Sequence, residues 1–482
     1  MVPDRVWDVL VVGSGLAGLA AALEVRAAGL KVAVLEKMPG LGGNSIISDG
    51  WLNAPGCSTQ LKAGVTDDNS ELFLRDILKA GAGRADPVLA GLLAGEAGSL
   101  EDYLSGFGVH FRSTVGYDGG HSRPRSLIPE KGGAGIYRPM RKHYLQRGGI
   151  FLPRHRVDEI VFDQTGEVQG LVVREGFRFD YSAEDNDHRL AEGESFFHRV
   201  KRGVVMAAGG YGRDRKFWCL FDPRRPEDSF ESTNQPGATA GALMVLMKAG
   251  AAVLHLADLQ YGPWCSPDEK GFGRAPSLAI AMQQYGLAVD PASGRRFMDE
   301  SADRGRRTEA LFSLKDKDGR MRHAVLVAGR DMPGLLADRS ILERPLKHKV
   351  ARVFESLSGL CEHYGLPRAV FEKEIVRYNN MVEAGLDEDF GRDLSVSGGV
   401  MVKGPPYYAL RLTAKAHFCQ GGVKIDANCR VLSAATLAPI PGLYAAGEIV
   451  GGVHGRSRLG NNAISEALVF GRRAGREISS RA

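Results

Sequence analysis

No stretch of the chain approaches the roughly 18 uninterrupted apolar residues that a membrane-spanning helix needs, and the N-terminus lacks the charged-then-apolar profile of a secretory signal. These two absences predict a cytoplasmic protein without a membrane span. Cysteine is scarce: Cys57, Cys219, Cys265, Cys361, Cys419 and Cys429 form no CxxC pair and no CxxCH, which argues against zinc, a dithiol redox couple and an attached c-type haem. They read as reduced core thiols, and no metal is expected. Excess charge of one sign is missing as well. Lys and Arg total 62 against 57 for Asp and Glu, a net charge of +5, and no basic run is interleaved with aromatics as a nucleic-acid groove requires. With 482 residues, 44% of them hydrophobic, the chain is long enough for two or three domains around a sizeable core.

What the chain does have is concentrated in its first forty residues. Trp7 to Val12 is apolar and β-branched, Leu16 to Ala28 is Ala/Leu-rich with helical spacing, and Lys31 to Leu35 is a second strand ending in Glu36. The turn between strand and helix reads Gly13-Ser14-Gly15-Leu16-Ala17-Gly18. Gly13 permits the tight turn, Gly15 lets a pyrophosphate approach the backbone, and Gly18 lets the helix pack on the strand. Glu36 is then placed to accept hydrogen bonds from ribose hydroxyls. A second glycine cluster, Gly40 to Gly43, follows so closely that the backbone is expected to continue along a ligand as long as FAD.

Further along, residues 69–105 read as helices broken at Gly81 to Arg84, and the Gly/Ser/Arg-rich stretch 113–136 as a loop beside a ligand. Pro139 to Arg147 reads as a helix with its proline in the first turn, and Arg154 to Val173 as a hairpin. The acidic stretch Ser182 to Glu194 reads as a solvated loop, and Gly203 to Gly210 as a buried strand returning to the nucleotide. From Asp258 to Ala416 the pattern changes to mixed loops and helices, including the amphipathic Arg368 to Ala384. Buried strands reappear at Gly421 to Asp426 and Gly442 to Ala446. The economical division is a nucleotide domain at 1–257 and 417–482, interrupted by an inserted domain at 258–416.

Several motifs in order along the chain resemble the flavoprotein subunits of the fumarate reductase and succinate dehydrogenase family, in particular its soluble fumarate reductases. They are the run through Gly18 with Glu36, Gly42-Gly43-Asn44-Ser45, Gly294 to Glu300 with Arg304, Arg377-Tyr378-Asn379 with Asp389 to Arg392, Gly421 to Asp426, and Gly442 to Glu448 through Ile464. The resemblance implies an α/β fold: a Rossmann-like FAD-binding domain of the glutathione-reductase type, interrupted by an inserted α+β capping domain that closes over the flavin. It also implies an FAD-dependent oxidoreductase acting on a CH–CH group. The implied cofactor set is Gly13, Gly15, Ala17, Gly18, Glu36, Lys37, Gly43, Asn44, Ser45, Gly50, Ala208, Gly209, Gly447, Glu448, Asn462, Ala463 and Ile464. A helix starting near Asn462 would direct its dipole at the flavin edge where negative charge develops on reduction. Members with covalent flavin carry a His after the Gly-Gly pair; Asn44 to Asn53 contain none, so FAD is expected to be non-covalent.

By the same resemblance, Arg304 matches the proton-donating arginine and Arg458 the arginine that clamps a substrate carboxylate, a task suited to a planar fork. The chain departs from the family where substrate histidines belong. It reads Gln260-Tyr261-Gly262-Pro263-Trp264 in one place and His417-Phe418 in the other, and Ala281 to Tyr285 replaces a proton relay. Aromatic walls in place of two polar anchors predict a substrate with one carboxylate or ketone rather than fumarate, bounded by Trp264, His417 and Phe418. Tyr261, Tyr285 and Tyr117 are acid/base candidates by location. Desaturation and ene-reduction of a cyclic keto acid, ketone or carboxylate both fit, the electron donor or acceptor being separate. The alternatives are a small-dicarboxylate reductase, an amino-acid oxidase, and a non-catalytic flavin-binding subunit. Oligomeric state is left open.

Overall fold

A computed structural model describes residues 5–117, 120–182, 192–222, 231–336, 338–394 and 400–481. Most of the expected acidic loop at Ser182 to Glu194 lies outside them. The chain divides into two compact units, Met1–Arg224 with Asn234–Leu259 and Phe418–Ala482, and Arg225–Thr233 with Gln260–His417.

The first unit is built on β1 (Val6–Val12), α1 (Leu16–Ala27) and β2 (Val32–Glu36). The parallel part of its eight-stranded sheet runs, in spatial order, Pro439–Ala445, Glu194–Met206, β1, β2, Ile150–Pro153, with Val11 opposite both Val34 and Val205, and Arg430–Leu432, His155–Phe162 and Val168–Glu175 add antiparallel pairings. Every residue of β2 is buried, as expected of a parallel strand covered on both faces. Nine of the twelve residues of α1 are buried, so the helix lies in the core. It packs on Asn462–Ser480, and a Cβ placed at Gly471 would lie 2.4 Å from the Ala17 carbonyl. Small residues therefore let the two backbones touch, and a larger side chain would overpack the seam.

The structure corrects three sequence expectations here. The glycine-rich run after Glu36 enters a short helix, Gly43–Ile47, rather than staying irregular, because Gly42 turns into it with φ of 106°. The stretch 113–136 is not one loop: Phe111–Gly116 and Ser126–Pro129 pair as antiparallel strands, and a helix spans Gly132–Gln146. Pro139 accordingly sits inside that helix and not in its first turn, leaving the Gly135 carbonyl without its usual helical donor. Glycines read as loop signals because they are helix-poor; here they serve close packing instead.

The second unit contains a six-stranded antiparallel sheet ordered Leu259–Cys265, Tyr407–Cys419, Ala324–Ala328, Gly286–Asp290, Arg295–Arg296, with Ala351–Phe354 also pairing to Tyr407–Cys419. The sequence reading of mixed loops and helices missed these strands. Gly286–Asp290 and Ala324–Ala328 are buried at all five positions, so they show no alternation, and short apolar runs do not reveal their period. The Arg368–Ala384 helix lays Phe371, Ile375, Tyr378, Met381 and Val382 on this core. Beneath it, Glu300 binds both Arg296 (2.8 Å) and Arg392 (3.1 Å), and Asp387 binds Arg296 (3.0 Å), with every side chain at 0–1% exposure. Much of the Gly294 to Glu300 and Asp389 to Arg392 resemblance is thus the scaffold of this unit.

Candidate active site

In the first unit, the β1–α1 turn is formed by contacts that only glycine allows. Gly13 has φ of 103°, and a Cβ there would lie 2.3 Å from the Ala207 carbonyl; a Cβ on Gly18 would lie 2.0 Å from the Gly13 carbonyl. At Gly15 the same test meets only Ser45 Oγ, at 3.4 Å, so this side of the turn is open. The helix N-cap is Gly15, without a side-chain cap and with no acid in the first turn. Its exposed N–H groups suit a pyrophosphate.

Glu36 is buried and accepts from Ser14 N (3.2 Å), Ser14 Oγ (2.6 Å) and Met38 N (2.9 Å). A carboxylate offers about four acceptor positions, so capacity remains for a ribose hydroxyl. Asn44 is fixed by Asn234 (2.5 Å) and by Gln235 N (2.8 Å), and Ser45 Oγ accepts from Leu16 N (3.1 Å). Lys37 donates to Thr239 (2.5 Å). Gly50 is accounted for by packing, since a Cβ there would lie 2.4 Å from Gly133 N. Ala208 and Gly209 follow the Glu194–Met206 strand, and Gly447 faces Ala17 across a 2.7 Å test contact.

Glu448 is half-buried and accepts from Cys419 N (2.9 Å). Burial pushes its carboxyl up to about 7, a rise that the Cys419 hydrogen bond opposes and Glu466 reinforces. The Asn462–Ser480 helix begins at the expected residue, with Asn461 as an uncapped left-handed N-cap and no acid in its first turn. Ala463 and Ile464 continue that turn. Asn462 is fully buried; its Oδ1 accepts from Asn53, while its Nδ2 meets no acceptor among the described residues. An orphaned amide at a helix N-terminus suits the acceptor-rich edge of a flavin. The open Gly15 face, Glu36 and Asn462 together fit FAD.

Sequence reasoning missed the residues that hold this loop. Asn53 donates to the Gly460 carbonyl (2.7 Å), His121 Nε2 contacts the same oxygen (3.0 Å), and Ser126 bridges Asn53 and Asn461.

Arg458 and Phe418, both 4% exposed, form a stack with the guanidinium carbon 4.6 Å above the ring. Arg458 also donates to the Leu459 carbonyl (2.8 Å), and His454 meets the Phe418 ring edge-on while bonding Glu466 (3.0 Å). In the second unit, Arg304 begins the Arg304–Ser313 helix and lies 4.6 Å above the Trp264 ring. Trp264 meets His417 edge-on, and His417 Nδ1 contacts Thr233 Oγ1 (2.9 Å). Tyr261 is buried edge-on against Phe312, Tyr285 is half-buried at the end of the Pro276–Tyr285 helix, and Gln283 donates to the Pro263 carbonyl (2.6 Å). Tyr117 is 60% exposed and donates to the His121 carbonyl. Burial pushes the Cys265 thiol up to about 12 and raises that of Cys419 well above its ordinary value, so neither forms the reactive thiolate.

The model of the family described as FAD binding domain matches residues 8–464. This chain belongs to the fumarate reductase and succinate dehydrogenase flavoprotein family. The flavoprotein is 35% identical over 475 residues to the acrylate reductase flavoprotein subunit of Shewanella woodyi, covering 98% of this chain and 91% of that protein. It is 31% identical to the fumarate reductase (cytochrome) of Shewanella frigidimarina, covering 99% and 78%. A flavocytochrome c3 fumarate reductase in its open conformation superposes with a TM-score of 0.79 at 28% identity, covering 99% of this flavoprotein and 79% of that chain. The protein is an FAD-dependent oxidoreductase acting on CH–CH groups. No helix among its described residues is long and apolar enough to cross a membrane.

Proposed function

We propose that the flavoprotein is an ene-reductase of α,β-unsaturated monocarboxylates. The observation that carries this reading is the Arg458–Phe418 stack: one guanidinium for one carboxylate, with an apolar ring where the resemblance calls for a second polar anchor. The similarity to an acrylate reductase subunit supports it, acrylate being a monocarboxylate.

FAD held there, once reduced by two electrons from a separate carrier, would supply hydride chemistry at the β-carbon of the substrate. Arg458 orients the carboxylate through its edge while its face stays on Phe418. Arg304 stabilises the negative charge that develops on the carboxylate side as the β-carbon is attacked, and the α-carbon takes up a proton. With Ala281 to Tyr285 where the resemblance calls for a proton relay, this electrostatic role suits Arg304 better than proton donation, since an unperturbed arginine loses its proton only above about pH 12. Residues 258–416 act as the capping domain between FAD-binding stretches 1–257 and 417–482. FAD is held without a covalent bond, and its electrons come from a separate carrier, as the names of the cytochrome and subunit relatives suggest.

The test is anaerobic turnover of acrylate, longer 2-enoates, fumarate and cyclic keto acids with reduced methyl viologen, beside the Phe418→His variant. Monocarboxylates should turn over at least tenfold faster than fumarate, and Phe418→His should narrow that ratio. Efficient fumarate reduction by the unaltered protein would overturn the reading. Flavin that stayed in an acid-precipitated pellet would overturn non-covalent binding.

A further inference from the structure

We infer that the exposed basic face of the Gly132–Gln146 helix is the docking surface for an acidic electron-carrier protein. The inference rests on the proposed function, which needs electrons from outside these 482 residues.

The helix has two faces. Ile136, Tyr137, Met140 and Tyr144 are buried, whereas Arg138, Arg141, Lys142 and Leu145 are exposed. The exposed set follows i, i+3, i+4, i+7 spacing, which places it on one stripe. Exposed Lys131 precedes the helix and exposed Arg147 follows it, and no acid occurs from Lys131 to Arg147. None of these five cations forms an ion pair among the described residues. Elsewhere in the same unit the arrangement differs: Arg472 and Arg476 pair with Glu24, and Arg473 with Glu96. These cations, without ion-pair partners among the described residues, and the exposed Leu145 form an attractive field with an apolar element, the pattern of a charge-steered, transient redox encounter.

Position supplies the second argument. The first turn of the helix is pressed against the Ser45 to Gly50 segment of the flavin cradle: Gly133 N donates to the Ser48 carbonyl (2.9 Å), and a Cβ on Gly133 would lie 1.9 Å from the Ser45 carbonyl. The exposed stripe begins at Arg138, in the turns that follow this contact, so one helix joins the flavin cradle to the basic face.

The experiment is stopped-flow reduction of the holoprotein flavin by reduced flavodoxin and by reduced plant-type ferredoxin, two acidic probes, across ionic strength. Reduced methyl viologen is the small-molecule comparison. Arg138→Glu/Arg141→Glu/Lys142→Glu should slow both protein donors by at least roughly tenfold at low salt and flatten their salt dependence, while viologen reduction stays within about twofold. The neutral Arg138→Gln/Arg141→Gln/Lys142→Gln variant should fall between, and guards against misfolding of the reversal. Lys315→Glu/Lys317→Glu/Lys373→Glu, with the same change in net charge, should leave both protein donors unaffected. Equal slowing by both reversal variants would overturn the inference, as would wild-type kinetics in the first variant or salt-sensitive binding to phosphatidylglycerol vesicles without any protein-donor effect. Flavin that viologen reduces normally while the donors ignore the helix would sink the docking surface alone. Protein that binds no flavin would sink the proposed function, and this inference with it.

Discussion

Arg458 in the first unit and Arg304 in the second both lie 4.6 Å above an aromatic ring, yet their surroundings differ. Arg458 is 4% exposed, anchored to a backbone carbonyl, and its ring is backed by the buried His454–Glu466 pair. Arg304 is half-exposed at the first position of a helix, where the dipole disfavours a cation, and the N-cap Asp303 offsets this with a carboxylate bound to Arg306 N (3.1 Å). A group fixed before substrate arrives suits uniform binding. A cation kept where the local field opposes it suits a task that appears only during the reaction.

The cores differ in the same sense. Both units bury charge, Arg125 with Asp68 and Asp76 in the first and Glu300 with Arg296 and Arg392 in the second, but only in the second does one carboxylate hold two buried guanidiniums. The largest expected effect therefore comes from Glu300→Gln, which leaves two buried guanidiniums short of a counter-charge and should destabilise by about 3–5 kcal/mol. Denaturant unfolding would show this, and a loss below 1 kcal/mol would mean that the network is dispensable. Next, Arg304→Lys keeps the charge but loses the planar fork. It should lower kcat by roughly 100- to 1,000-fold with KM nearly unchanged and the flavin spectrum intact.

The first unit has its own charge-sensitive point in Glu448. Its carboxyl is raised from 4.5 to about 7, chiefly by burial, so the folded state favours the protonated form. That stabilisation is complete below about pH 4.5 and is lost as pH rises through 7, a change of about 3 kcal/mol for a shift of this size. Flavin-stripped protein should lose stability across this window, and Glu448→Gln should flatten the profile relative to wild type. Equal slopes would refute the assignment. Arg458→Ala comes next: losing a charge-assisted hydrogen bond of about 1.5–3 kcal/mol should raise KM by roughly 10- to 100-fold and leave kcat closer to wild type, the reverse of Arg304→Lys.

Legibility in the sequence followed the kind of physical signal. The β1–α1–β2 unit could be read to within a residue because glycine spacing, apolar period and a terminal acid all agreed. The Arg368–Ala384 helix was read with the bounds it has. Gly286–Asp290 and Ala324–Ala328 were not, because full burial erases the alternation that marks a strand. Gly132, Gly133 and Gly135 were misread as loop because close packing and flexibility use the same residue. In the candidate site, Arg304 and Arg458 were visible through resemblance. The stacks beneath them, and the Asn53–Ser126–Asn461 bonds around the loop, join residues tens to hundreds of positions apart and leave no local pattern.

The smallest expected effect is the most direct comparison of the two stacks. Trp264→Phe keeps an aromatic face under Arg304 but reduces the ring's attraction for a cation, since Trp is the strongest partner and exposed pairs contribute about 0.5–1 kcal/mol. If the stack orients Arg304 for the reaction, that difference should appear in kcat as a two- to fivefold loss with KM steady, because the arginine acts only in the transition state. Phe418→Trp is the mirror change in the first unit, strengthening a stack that holds a binding group. There the expected effect is on KM, with kcat unmoved unless the larger ring displaces the Arg458 edge. Opposite signatures would confirm that one geometry serves two roles. Matching signatures, both in KM or both in kcat, would mean that the two arginines share one task and that the division between clamp and charge stabiliser is wrong.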